Sequence, residues 1–222
     1  MTDAVDSAVK LGLQGRVVLV TGGVRGVGAG ISAVFAGQGA TVVTCARRPV
    51  EGSPWDFHSC DIRDDDAVKT LIDTIVADHG RLDVVINNAG ALLPGSLLTG
   101  SMDDFATTFD INVYGPLRVA RAFAPALAAN GGGAIVNIGS VSGRRPTPGT
   151  VAYGAAKAGM ENITATLAVE WAPKVRVNSV IVGMVETEQA DLFYGDADSI
   201  AAISQNVPLG RLAKPADVGW AT

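Results

Sequence analysis

Short, unbroken apolar runs recur along this chain, and each is followed by a stretch whose apolar residues fall at helical spacing. "RVVLV" (16–20) precedes "GAGISAVFAGQG", where Val27, Ile31, Val34 and Phe35 share one helical face. "ATVVTCA" (40–46) and "WDFHSCD" (55–61) predict the second and third strands. "RRPVEGSPW" between them carries Pro49, Gly52 and Pro54 and predicts an irregular loop. "DDDAVKTLIDTIVADHG" predicts a helix with Val68, Leu71, Ile72, Ile75 and Val76 inward and Asp64 to Asp66 capping its start. "LDVVINNAG" (82–90) and "GAIVNIGS" (133–140) predict strands four and five. The long helical region between them opens on Ser101 and Asp104 as a capping box. "VAYGAAKAGMENITATLAVEWA" reads as a helix, and "VRVNSVIVG" (175–183) as a sixth strand. Strands that are apolar on both faces belong in a parallel sheet covered by helices on each side. Right-handed crossovers make a doubly wound, three-layer α/β/α sandwich the simplest topology.

At 222 residues, 48% hydrophobic and 18% charged, the chain fits one domain over 1–222, with residues 1–14 as a loose N-terminal arm. A net charge of −5 gives no support to nucleic-acid or anionic-membrane binding. No apolar run reaches the length of a membrane span, and the N-terminus lacks a signal-peptide core, so the reading is a cytoplasmic protein. Cys45 and Cys60 form no CxxC and read as small buried residues rather than a disulfide. His58 and His79 have no ligand-like partners, and no metal site is expected.

"VLVTGGVRGVGAGI" joins the first strand to the first helix, with Thr21 followed by Gly22, Gly26 and Gly28 as G-x-x-x-G-x-G. Glycines allow close backbone approach to a pyrophosphate, and the helix N-terminus offers free N–H groups to it. Arg25 and Val27 belong to the same loop. A dinucleotide here places its adenosine half at the end of strand two, where a carboxylate favours a free ribose and arginine a 2′-phosphate. The residues there are Ala46, Arg47 and Arg48, so NADP(H) is preferred, with NAD(H) as the alternative.

"YGAAKAG" sets Tyr153 one helical turn from Lys157. A cation there favours the phenolate and brings a phenol of pKa ~10 closer to neutrality. Ser140 ends strand five, where such sheets bind ligands, and its hydroxyl can serve an oxygen on which charge develops.

The ordered set of Thr21–Gly28, "NNAG" (87–90), Asn112 in "DINVYG", Ser140, and Tyr153 with Lys157 resembles the short-chain dehydrogenase/reductase family, single-domain branch. The resemblance implies a Rossmann-type fold, a nicotinamide cofactor, and hydride transfer between an alcohol and a ketone. It implies that Gly22, Gly26 and Gly28 line the phosphates and that Asp61 and Ile62 hold the adenine. Asn88, Ala89 and Gly90 would close the crevice. Val185 and Thr187, following Gly183, would meet the carboxamide. Ser140 would orient the substrate oxygen, Tyr153 exchange the proton, Lys157 bind the ribose, and Asn112 hold a relay water. Family members form homodimers or homotetramers through the helices at 103–129 and 152–171.

The chain departs from the family in three places: the missing helix between strands two and three, Val182 in place of proline, and an end at "RLAKPADVGWAT". The family pattern continues there into a last strand, so a truncated chain is expected. Substrate-pocket candidates are Leu92 to Pro94, Val141 to Arg145 and the segment 190–205, which suit a moderately hydrophobic alcohol or ketone. Two other readings stay open: a 3-oxoacyl-thioester reductase acting on an acyl carrier protein, and a non-catalytic dinucleotide-binding regulator.

Overall fold

Successive residues of the first strand, Val17–Thr21 (β1), feed opposite sides of the sheet: Val17 and Leu19 join one apolar cluster, Val18 and Val20 another. That pattern needs a helical layer on both faces. The computed structural model describes residues 11–222, so the arm expected over 1–14 lies outside the described residues as far as residue 10. After β1 come Gly26–Gly37 (α1), Thr41–Ala46 (β2), Asp56–Ser59 (β3), Asp65–His79 (α2) and Val84–Asn87 (β4). Met102–Phe109 (α3) and Gly115–Ala129 (α4) are joined by a π-helical turn, Asp110–Tyr114. Gly133–Ser140 (β5), Val151–Glu170 (α5) and Val175–Val182 (β6) follow. Ala190–Tyr194 (α6), Ala197–Gln205 (α7) and Pro215–Ala221 (α8) complete the described chain.

The strands form one six-stranded sheet in the order β3-β2-β1-β4-β5-β6, parallel throughout. The chain starts at the centre, runs to one edge, then returns to build the other half, which is the Rossmann-type doubly wound topology. Residues of α2, α4 and α5 pack on one face around Phe123, Ile75 and Leu19. Ile31 and Phe35 of α1 and Val218 of α8 cover the other. A crevice opens beyond the carboxyl ends of β1 and β4, where the winding reverses.

Three expectations change in detail. The helical region from Met102 is not one helix, because the π turn widens its middle. Ser101 caps α3 by accepting from the N–H of Asp103, one residue earlier than the capping box predicts. The third and fourth strands are shorter than the apolar runs suggest, since "NNAG" turns out of the ladder after Asn87. The loop between β2 and β3 holds no helix, as its prolines and glycine predict. Asp64 caps α2 through the N–H groups of Asp66 and Ala67.

A buried polar chain crosses the sheet. Asn87 Nδ2 on β4 donates to Asn137 Oδ1 on β5 at 2.9 Å, and Asn137 Nδ2 donates to Thr164 Oγ1 on α5 at 2.9 Å. Thr164 Oγ1 donates onward to Met160 O at 2.7 Å. Buried side-chain amides are costly unless paired, so these bonds fix where α5 sits along the sheet.

Candidate active site

The crevice at the reversal of winding is a cavity of about 730 Å³. Every catalytic or cofactor-binding residue proposed from sequence lines it except Thr21 and Asn112. Those two stand behind its wall, each 1% exposed. Thr21 Oγ1 accepts from the N–H groups of Asn88 and Ala89 at 3.1 and 3.0 Å and donates to Ile86 O at 3.2 Å. Its place among the cofactor contacts is therefore corrected: it braces the end of β4 against β1.

The glycine loop fits a dinucleotide phosphate. Gly22 has φ 65°, which favours glycine, and its N–H donates to Cys45 O at 2.7 Å. A Cβ on Gly28 would run into Gly22 O and lie 2.5 Å from Asn88 Nδ2, so a bare backbone is required there. The N-cap of α1, Arg25, makes no side-chain cap, which leaves the helix's first N–H groups for a ligand.

At the adenosine end, Arg47, Arg48, Asp61 and Arg63 share the lining. Asp61 is engaged by Arg63 through Nη2 to Oδ2 at 2.6 Å and Nε to Oδ1 at 3.0 Å. Those bonds hold its carboxyl below the usual range, with the charge of Arg47 helping. Sequence alone does not single out Arg63, because the fold that brings it to the same cavity as Arg47 depends on the pairing of β2 with β3.

At the other end, Ser140 follows β5 and is 8% exposed, with Oγ accepting from the N–H of Ser142 at 3.2 Å. Tyr153 lines the same cavity. Lys157, 7% exposed, donates from Nζ to Ile138 O at 2.8 Å and lies 5.6 Å from the centre of the Tyr153 ring. Burial pushes the Tyr153 phenol up, and this outweighs the lowering by the Ser140 bond. The expected lowering by Lys157 is thus not seen in the chain alone: the ammonium faces a carbonyl and the ring, not the hydroxyl. Burial lowers Lys157 to about 8. Asn112 sits in the π turn, donating from Nδ2 to Ala91 O at 2.7 Å and Thr108 O at 2.9 Å. Its Oδ1 is buried without a partner among the described residues.

Of the substrate-pocket candidates, Leu92, Phe193 and Tyr194 line the cavity. Val141 to Gly143 form a 3₁₀ turn and Arg144 pairs with Glu161 at 2.8 Å, so neither lines the cavity. Tyr194 Oη accepts from the N–H of Val185 at 3.4 Å. Cys45 and Cys60 also line the cavity, free and buried. No group of three or more His, Cys, Asp or Glu among the described residues could hold a metal ion.

The family described as Enoyl-(Acyl carrier protein) reductase matches residues 22–222. The chain is 33% identical over 218 residues to the 3-oxoacyl-[acyl-carrier-protein] reductase FabG of Thermotoga maritima, covering 93% of this chain and 88% of that protein. Among solved structures, the ligand-free aldohexose dehydrogenase of Thermoplasma acidophilum matches with a TM-score of 0.90 and 29% identity, covering 95% and 86% of the two chains. The structure of ElxO with NADP bound matches at 0.85 and 30% identity, covering 93% and 89%. Matches of this extent, on a doubly wound sheet with such a crevice, define an NAD(P)-dependent oxidoreductase. The chain belongs to the short-chain dehydrogenase/reductase family.

Proposed function

We propose that the chain is an NADP(H)-preferring reductase or dehydrogenase of a moderately hydrophobic secondary alcohol and its ketone, with Tyr153 as the acid–base group. One observation carries the reading: Ser140, Tyr153 and Lys157 line the same cavity as the uncapped start of α1. A bound nicotinamide would supply or accept the hydride. Tyr153 gives its hydroxyl proton to the substrate oxygen in reduction and takes it back in oxidation. Ser140 Oγ donates to the same oxygen as charge builds there. Lys157 would hold the ribose, and the positive charge of an oxidised nicotinamide would draw the phenol down from its raised value. The unpartnered Oδ1 of Asn112 is the acceptor for a water that returns the proton through Lys157.

Leu92 and Phe193 give the substrate end an apolar wall that keeps bulk water away from the reacting carbon. The preference for NADP(H) rests on Arg47, Arg48 and Arg63, with no free carboxylate among these adenosine-end residues because Asp61 is engaged. A homo-oligomer formed through α4 and α5 completes the reading. The test is a screen of NADPH oxidation against carbonyl compounds graded by size and polarity, with the Tyr153→Phe chain as control. Carbonyl-dependent turnover lost in that control is the expected result. Tight NADPH binding without turnover on any carbonyl would replace the enzyme by a dinucleotide-binding regulator.

A further inference from the structure

Glycine is disfavoured relative to alanine inside a helix, yet Gly154 directly follows Tyr153 in the first turns of α5. Its surroundings give the reason. A Cβ on Gly154 would lie 2.9 Å from the carbonyl oxygen of Ser142, closer than a side chain can come. Gly143 meets the same helix: a Cβ there would lie 2.8 Å from Ala158 N, 3.0 Å from Lys157 C and 3.2 Å from Lys157 Cβ. The 3₁₀ turn Val141–Gly143 therefore rests on the backbone of α5 at two points, one beside Tyr153 and one at Lys157. Just beyond the turn, Arg144 Nε donates to Glu161 Oε2 at 2.8 Å, one helical turn after Lys157.

That turn begins at Ser140, whose Oγ accepts from the N–H of Ser142 at 3.2 Å. A hydroxyl has two lone pairs and one hydrogen, so this bond fixes the oxygen and leaves the hydrogen to be donated into the cavity that Ser140 lines. Ser142 thus makes two contacts: its N–H holds the Ser140 hydroxyl, and its carbonyl sits against Gly154. The place of Ser142 on α5 fixes the Ser140 hydroxyl relative to Tyr153. Two groups that serve one reacting oxygen must be held to a fraction of an ångström.

We propose that Gly143 and Gly154 are positioning residues: their bare backbones seat the turn after Ser140 on α5 and so aim the Ser140 hydroxyl at the substrate oxygen that Tyr153 serves. The aim rests on the proposed function, whereas the seating stands apart from it. A methyl group on Gly154 suits the helix itself, so its effect falls on the neighbour. It pushes the Ser142 carbonyl away from α5, and that movement draws the Ser142 N–H off Ser140 Oγ. A methyl group on Gly143 presses on Lys157 as well, because Lys157 C and Cβ are among the atoms it meets. Neither glycine touches a reacting atom, and each acts through the residue it seats.

The test places Gly154→Ala in the full chain and again in a Ser140→Ala chain. Carbonyl-dependent NADPH oxidation gives kcat, fluorescence titration gives NADPH affinity, and a melting curve shows that each variant is folded. Gly154→Ala alone is expected to lower kcat about tenfold or more while NADPH affinity holds. In the Ser140→Ala chain the same change is expected to cost less than about twofold, because the hydroxyl it misplaces is gone. Gly143→Ala is expected to lower kcat and to weaken NADPH binding too, through Lys157. Wild-type kcat in Gly154→Ala, an equal loss in both backgrounds, or a Gly143→Ala chain unchanged in both readouts would overturn the proposal. Hydrogen exchange at the Ser142 amide reads the seating with no substrate present. Faster exchange in Gly154→Ala is expected, and exchange at the wild-type rate would overturn the proposal. A wild-type chain that turns over no carbonyl would sink the proposed function, while the Ser142 amide would still decide the seating.

Discussion

Tyr153 is pulled in two directions: burial raises its phenol, and the Ser140 hydroxyl lowers it. Replacing it with phenylalanine removes the proton and keeps the ring. Tyr153→Phe is expected to cut turnover at least ~100-fold while leaving dinucleotide affinity nearly unchanged. Steady-state rates measured beside a binding titration check this, and wild-type turnover would refute it. Lys157 makes a different kind of statement. Burial lowers it from 10.5 to about 8, so the folded chain binds fewer protons than the unfolded one between those values. Stability without cofactor therefore rises with pH across that window, by on the order of 3 kcal/mol from this group. Lys157→Met lacks the effect. The urea midpoint of the wild type relative to that variant is expected to climb between about pH 7 and about pH 10. That Ser140, Tyr153 and Lys157 share one cavity was legible in the sequence, because Ser140 ends a strand and the other two stand one helical turn apart. What spacing could not reveal is which side of the cavity wall a residue occupies, as Thr21 and Asn112 show. Nor could it foresee that Cys45 and Cys60 join one buried cluster, which forms only once β2 and β3 have found their register.

Among the elements, the central strands owe their start to one carboxylate. Asp83, 4% exposed, accepts from the Val17 N–H at 2.9 Å, from Arg16 Nη1 at 2.7 Å and from Arg81 Nη2 at 2.6 Å. Burial pushes its pKa up, but the bonds from Arg81, Val17 and Arg16 outweigh this and hold it at about 2. A depressed carboxyl stabilises the fold above its unfolded value of 3.8 and loses that contribution as pH falls through about 2. The contribution is about 2 kcal/mol. Asp83→Asn lacks it, so the stability gap between wild type and variant is expected to narrow across that acid window, read by denaturant midpoints. Strands and long helices were legible because buried strands are apolar throughout and helices keep their period. The π turn was not, since one widened turn barely disturbs that period while it redirects Asn112. The cap of α3 engages a different N–H than expected because an N-cap oxygen can reach either of two neighbouring N–H groups, and sequence does not choose between them.

At the scale of the whole molecule, a chain of net charge −5 carries a cationic lining at one end of its cavity, from Arg25, Arg47, Arg48 and Arg63. Such a local field draws in an anionic dinucleotide despite the overall charge. Arg47→Ala with Arg48→Ala is expected to weaken NADP(H) binding more than about tenfold, as lost charged hydrogen bonds would, and to change NAD(H) binding far less. Isothermal titration with both dinucleotides checks it; equal losses would sink the assigned preference. Val169 on α5 is 80% exposed and Tyr114, just before α4, is 55% exposed. Light scattering is expected to give a mass at least twice that of one chain, and Val169→Glu to lower it. An unchanged monomer mass in the wild type would refute the assembly. The polar chain from Asn87 through Asn137 to Thr164 has a consequence for how such a protein can diversify. It ties α5 to β4 and β5, and α5 carries Tyr153 and Lys157. The segment from Ala190 to Gln205 makes no bond to that chain, and within it Leu192 is 73% exposed and Phe193 58%. On the proposed function, mutations that retune substrate fit can accumulate there while α5 keeps its seat. That reading lets chemistry be inherited through one part of the molecule while substrate choice drifts in another.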